Sequence, residues 1–306
     1  RNWWIASYSA LEFDNRAATQ LIASEPASAR EEQHYEISQS ESGAPLPVTT
    51  NRSAPGDNLM HAFPRGAQWG TFLHGLLEWA AAANSGQQAG FAAAVADQQA
   101  REQMLKRRCQ LRNIDELAEP LGDWLHDFLQ QRWHSTGFAL CDLQPQQLAV
   151  ELEFLLEIHP VNTGELDALV RAHAGSDNLP GLHGNRLNGL LKGFIDLVAE
   201  HEGRYYIIDW KSNYLGDTDA AYSQQAMQQA IDGQRYDLQY LIYTLALHRQ
   251  LRSRLPGYDY EQHMGGAVYC FLRGWRNSQT QGIFHTRPPR ELIEQLDQLF
   301  SQGART

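Results

Sequence analysis

One stretch constrains the fold more than any other: Gly193 to Gly216, which reads GFIDLVAEHEGRYYIIDWKSNYLG. Two apolar runs flank Glu202-Gly203, as strands flank a two-residue turn, and each run carries one aspartate among its apolar residues. A buried carboxylate is costly unless something pairs with it, so acids in neighbouring strands require a shared compensation. With Glu202 and Gly203 at the turn, His201 faces Arg204, Val198 faces Ile207 and Asp196 faces Asp209. Phe194 then faces Lys211, which lies two residues beyond Asp209 on the same face, about 6.6 Å along the strand. Directly opposed side chains have Cβ atoms about 4.5–5.5 Å apart, where like charges repel and lift a pKa unless a cation lies between them. The reverse face pairs Leu197 with Ile208 and Ile195 with Trp210, so the hairpin is apolar on both sides, as a central strand pair is. A slip of one residue would part the two acids onto opposite faces.

Carboxylates alone suit a hard, oxygen-seeking cation such as Mg²⁺, and a neighbouring lysine can hold a phosphate oxygen or orient a water. That combination points to phosphodiester hydrolysis. The same spacing also fits an Asp-Lys surface ion pair beside an unrelated aspartate. Carboxyls about 5 Å apart would serve a retaining glycosidase as well, although Lys211 and His74 speak against it. A further alternative is an inert module of this shape kept as a protein-docking surface, for which loss of an acid or of the lysine would be expected; all three are present.

The chain has 306 residues, enough for one large domain or two modest ones, and 42% of them are hydrophobic. Its first residue is Arg1, which suggests a piece of a longer polypeptide, and RNWWIASYSA lacks the order of a secretory signal. No run approaches the roughly 18 apolar residues of a membrane span, so a cytoplasmic protein without membrane contact is expected. Three cysteines, Cys109, Cys141 and Cys270, lack CxxC spacing and argue against a disulfide framework, a zinc knuckle or an iron–sulfur cluster. A net charge of −11 has the wrong sign for gripping nucleic acid by unaided electrostatics, so any DNA contact must use local basic patches or those of partners. Gly184 and Gly189 have P-loop spacing, but Leu190 and Leu191 stand where Lys and Ser/Thr would bind phosphate and magnesium.

From about Glu25 to Leu59 the sequence is rich in Ser, Pro, Gly and Glu without a period, which predicts a flexible linker; the expected division is a segment over 1–60 and a folded domain over 61–306. Apolar recurrence predicts helices over Ala67–Asn84, Gly90–Leu111 and Asp115–Trp133. The alternation of LAVELEFLLEI from Leu148 predicts a strand with Val150, Leu152, Phe154, Leu156 and Ile158 on one face. A short helix (Gly164–His173), the two hairpin strands (Leu190–Ala199, Arg204–Lys211), helical sequence over Ala220–Leu251 broken near Gly233, the strand GGAVYCFLRG and a last helix opened by Pro288 and Pro289 follow. Neither solenoid repeats nor a heptad seam is present.

At Gly193-Phe194-Ile195-Asp196 and Asp209-Trp210-Lys211-Ser212 the chain resembles the RecB-type PD-(D/E)xK nucleases. Gly70-Thr71-Phe72-Leu73-His74 on an early helix and Gln239-Tyr240-Leu241-Ile242-Tyr243 on the helix after the strands resemble the same subgroup, and the similarity spans about Trp69 to Trp275. The resemblance implies an α/β, restriction-endonuclease-like fold: an αβββαβ core with a mixed sheet flanked by helices. It implies that His74, Asp196, Asp209 and the main-chain carbonyl of Trp210 bind Mg²⁺, with Mn²⁺ or Ca²⁺ as substitutes, and that Lys211 positions and helps activate a water. Gln239 and Tyr243 are expected to orient DNA or the metal's surroundings. The implied setting is double-strand-break repair and recombination, on DNA fed by a helicase, with RecC-like and RecD-like subunits and a RecA-like recombinase as partners.

Four features sit beside this core. Glu78, one turn after His74, is expected either to hydrogen-bond the imidazole or to face solvent. Of Glu151 and Glu153, alternating on one strand, Glu153 is the favoured supporting residue. Lys106, Arg107 and Arg108, with Arg112 one turn on, form the dense basic group, which either touches a phosphate backbone or a partner or is a solvated face. Tyr206 and Trp210 are expected in the core rather than stacked on bases.

Overall fold

The hairpin forms with the register its sequence dictates. Glu202 (φ 50°) and Gly203 (φ 77°) are both left-handed, as a two-residue type I′ turn demands, and the Glu200 carboxylate accepts from the Gly203 N–H at 2.6 Å. Ladder pairs run from His201 with Arg204 to Val198 with Ile207 and Leu197 with Ile208, and stop there, so the expected pairs of Asp196 with Asp209 and Phe194 with Lys211 do not form.

A computed structural model of the chain describes residues 4–7, 58–173, 179–182 and 187–302. In chain order the elements are β1 (Trp4–Ser7), α1 (Leu59–Ala62), α2 (Ala67–Ala81), α3 (Phe91–Ala96), α4 (Gln98–Gln110), α5 (Ala118–Gln130), β2 (Leu148–Val161), α6 (Thr163–His173), β3 (Leu187–His201), β4 (Arg204–Lys211), α7 (Gln224–Gly233), α8 (Tyr236–Arg254), α9 (Tyr260–His263), β5 (Met264–Phe271), β6 (Ile283–Thr286) and α10 (Arg290–Gln302). The expected αβββαβ order is present, within a six-stranded mixed sheet.

β2 pairs antiparallel along one edge of β3. The other edge of β3 is shared: β4 takes Leu197–His201, and β1 runs parallel to Gly189–Lys192. Between them, among the described residues, Gly193–Asp196 face no strand on that edge, while Asp209, Trp210 and Lys211 of β4 pair only with β5. The sheet therefore forks just where the two aspartates lie.

Helices cover both faces. Val198 and Ile207 belong to one core with Leu238, Leu241, Ile242 and Leu245 of α8 and Ile293 and Leu296 of α10. Leu197, Ile208, Tyr206 and Trp210 belong to the other, with Phe72, Leu73, Leu76, Leu125 and Phe128 of α2 and α5. Tyr206 and Trp210 are thus core residues, as expected, and Cys109 and Cys270 are buried free thiols.

Several elements differ from expectation. The helix expected over Gly90–Leu111 is two, because Asp97 leaves helical geometry and caps α4, its carboxylate accepting from the Ala100 N–H at 2.9 Å. Helical sequence expected from Ala220 starts after Ser223, which caps α7, and breaks at Arg235, left-handed at φ 55° and fully buried. Arg235 is held by Asp167 at 2.7 Å and Asp237 at 3.0 Å. β1 and β6 are additional strands. The expected linker lies outside the described residues except for Asn58 and Leu59, which are structured: Asn58 donates to Asp219 at 2.7 Å and accepts from the Trp275 indole at 3.0 Å. On β2 the alternation fails at its start, because Glu151 has φ 50° and Val150 is 38% exposed rather than inward-facing.

Candidate active site

The fork places the acids in two linked groups. Asp196, on β3, reaches across the gap, and its Oδ2 accepts from the Trp210 N–H at 2.9 Å. A carboxylate thus takes the donor that a continued β3–β4 ladder would have used. His74, on α2, comes in from the other face of the sheet: its Nε2 donates to the Trp210 carbonyl at 2.8 Å, so its Nδ1 carries a lone pair, and that atom lies 3.6 Å from Asp196 Oδ2. His74, Glu78, Glu151, Asp196 and Trp210 line a cavity of about 10 Å³.

Behind it, on the α8 side, Lys211 Nζ stands 2.6 Å from Asp209 Oδ2 and donates to Gln239 Oε1 at 3.1 Å. Gln239 also accepts from the Tyr269 hydroxyl at 2.9 Å and donates to Tyr243 at 3.2 Å, the bond expected of an i, i+4 pair. The ammonium sits 4.0 Å from the Tyr236 ring centroid. Gln239 and Tyr243 are both fully buried, so they fix Lys211 rather than touch DNA.

The electrostatics follow from burial. Asp196 is lifted well above the usual carboxylate range, first by desolvation and then by Asp209, against the opposing pull of the Trp210 N–H and Lys211. Burial likewise raises Asp209, with Lys211 pulling the other way. Burial disfavours the Lys211 ammonium, yet Asp209, Tyr236 and Asp196 together hold its pKa above the ordinary value. Burial and the Lys211 charge push His74 down to about 4, so the imidazole is neutral at pH 7 and available as a ligand.

Do these residues fit a divalent cation? His74 Nδ1, Asp196 Oδ1 and Asp209 Oδ1 are buried and make no hydrogen bond. A lone pair facing a carboxylate in a buried cavity calls for a positive charge, and two aspartates with an imidazole are suitable donors. Among the described residues, no three His, Cys, Asp or Glu side chains stand together in a metal-holding array. The reason is visible in the contacts: Lys211 draws Asp209 back, and the Trp210 N–H holds Asp196. The donor set fits, with Asp209 Oδ2 on Lys211 and its Oδ1 without a hydrogen bond.

The other expected residues fall on both sides of the line. Glu78 lines the cavity without a hydrogen bond to His74 among the described contacts. Glu153 does not line it; its side chain is 46% exposed and pairs with Lys192 at 3.0 Å. Glu151 takes the place expected of Glu153, turned into the cavity by its positive φ, and its charge contributes to the raised pKa of Asp196.

Residues 52–306 match the profile of the PD-(D/E)XK nuclease superfamily. The chain belongs to that superfamily. Its members are metal-dependent nucleases, and Asp209-Trp210-Lys211 has the spelling (D/E)XK, while Ile195 rather than proline precedes Asp196. Among curated proteins, the chain is 44% identical over 245 residues, 79% of its length, to the RecBCD enzyme subunit RecB of Escherichia coli. It is 33% identical to the Haemophilus influenzae RecB and 31% identical to that of Mycobacterium tuberculosis, in each case over 98% of its length. It spans only 20%, 24% and 29% of those three relatives. Among the described residues, no helix is long and apolar enough to cross a membrane.

Proposed function

We propose that this superfamily member is a Mg²⁺-dependent DNA nuclease acting on strands that a helicase delivers, as part of an exodeoxyribonuclease V-type enzyme in double-strand-break repair. The observation that carries this reading is the juxtaposition at the sheet fork of Asp196, Asp209 and the clamped ammonium of Lys211 with the neutral imidazole of His74. Asp196, Asp209, His74 Nδ1 and the free lone pair of the Trp210 carbonyl would hold the cation. When bound, a divalent ion polarises a phosphodiester and lowers the pKa of a coordinated water. Lys211 supplies a fixed positive donor for the attacking water or a phosphate oxygen, aimed by Gln239, Tyr243 and Tyr269. Mn²⁺ or Ca²⁺ would enter the same oxygen-rich site. The relatives are subunits of an enzyme called RecBCD, so RecC-like and RecD-like subunits, and a RecA-like recombinase, are the proposed partners of the longer protein in the cytoplasm.

The test is digestion of linear single-stranded DNA by the 306-residue chain with and without Mg²⁺. Wild type degrades it only with the metal, and Asp209→Ala or Lys211→Gln lowers the rate at least a hundredfold, as loss of a main electrostatic element does. Full activity in Asp209→Ala would remove the basis of the reading.

A further inference from the structure

On the outer side of α2 lies a groove of about 530 Å³ lined by Trp79, Met104, Arg107, Arg108, Leu111 and Arg112. We propose that it is a track for single-stranded DNA leading to the fork, an inference that rests on the nuclease reading. Three arginines line it in a chain of net charge −11, and among the described residues none of them forms an ion pair with a carboxylate. A cluster of unpaired guanidiniums on an acidic protein is a place for phosphates. Among them stand an indole and an aliphatic side chain: Trp79 is half-buried, and Leu111 is 74% exposed, the most exposed large hydrophobic among the described residues. Guanidiniums interleaved with apolar and aromatic faces suit unstacked bases on a charged backbone, whereas duplex DNA hides its base faces.

The groove is also joined to the site. Trp79 follows Glu78, which lines the active-site cavity, and lies about 7.5 Å along the helix from His74. Arg108 is attracted to Glu78 and rests against α2 at Gly75, the neighbour of His74. A Cβ on Gly75 would come within 2.7 Å of the Arg108 guanidinium, which therefore lies directly against α2. Glu78, which lines the cavity and attracts Arg108, thus stands between the groove and the site.

The test is fluorescence anisotropy of a labelled oligothymidylate with the full chain in EDTA, which silences cutting, at several salt concentrations. Wild type binds, and its affinity falls as salt rises. Arg107→Gln with Arg112→Gln weakens binding at least tenfold and flattens the log–log salt slope by about 1.4, two contacts at about 0.7 each. Trp79→Ala weakens binding about five- to 150-fold with the slope unchanged, as loss of one stacked base does. Asp209→Ala binds like wild type while cutting nothing in Mg²⁺, which separates the two claims. No binding by wild type, or wild-type affinity in both groove variants, overturns the track and leaves the nuclease reading standing. So does loss of a partner subunit's binding in the arginine variant with oligonucleotide affinity intact. Binding through the arginines by a wild-type chain that never cuts with Mg²⁺ overturns the nuclease reading alone.

Discussion

Gly193→Ala tests how the fork is built. Gly193 pairs with Phe154 across β2 and β3, and a Cβ on it would stand 2.5 Å from Phe154 Cζ and 2.7 Å from Cε1. The ring must retreat about 1 Å to reach ordinary contact. It has little room, because it is buried and packs edge-on to Tyr243 with centroids 5.4 Å apart. Overpacking of this kind costs about 1–3 kcal/mol, and alanine recovers about 0.5–1 kcal/mol of the backbone penalty of glycine in a strand. The net loss is about 0–2.5 kcal/mol, or up to several degrees in Tm. Urea denaturation of Gly193→Ala, Phe154→Leu and the double variant measures it, and the double variant should be more stable than the sum of its parts by about 1 kcal/mol. Because Tyr243 bonds Gln239, which holds Lys211, the nuclease rate of Gly193→Ala should fall further than its lost stability alone explains. An additive cycle would refute the steric reasoning.

The remaining predictions concern charge. Asp196 has its pKa raised on folding, so the stability it contributes is complete below the unfolded value and is lost as pH rises through the folded one. Asparagine imitates the protonated acid, and Asp196→Asn should therefore stabilise the metal-free protein at pH 8 by about 1–3 kcal/mol while abolishing cutting; a lower Tm in EDTA would contradict this. Affinity for Mg²⁺, followed by calorimetry, should rise with pH as the Asp196 proton leaves, with no contribution from His74, already neutral above about 4; a pH-independent affinity would count against the cavity as the metal's seat. Glu151→Gln should weaken Mg²⁺ binding several-fold, whereas Glu153→Gln should change it less than twofold, since only the former carboxylate reaches the cavity.

Much of this was legible in the sequence because the signals were local. The Glu202-Gly203 turn fixes the register as far as Leu197 and Ile208, and the i, i+4 spacing of Gln239 and Tyr243 gives their bond, but the ladder ends before Asp196 and Asp209, whose carboxylates the fork sends to different partners. What escaped was set by tertiary context. Alternation puts Glu151 and Glu153 on one face and has no term for a residue at φ 50°, so it does not tell that Glu151 rather than Glu153 lines the cavity. β6, four residues long, carries too short a pattern to stand out. The ion pairs of Arg235 with Asp167 and Asp237 depend on a chain reversal that no periodicity announces. Helix spacing tells that Gln239 and Tyr243 share a face and not that this face is sealed beneath Lys211.

Crystals soaked in Mn²⁺, with the ion located by its anomalous scattering, probe the heart of the account. One ion bonded to both Asp196 and Asp209, with the His74 imidazole joining them, is the predicted result. An ion held by one aspartate alone, or sited away from the fork, would contradict it.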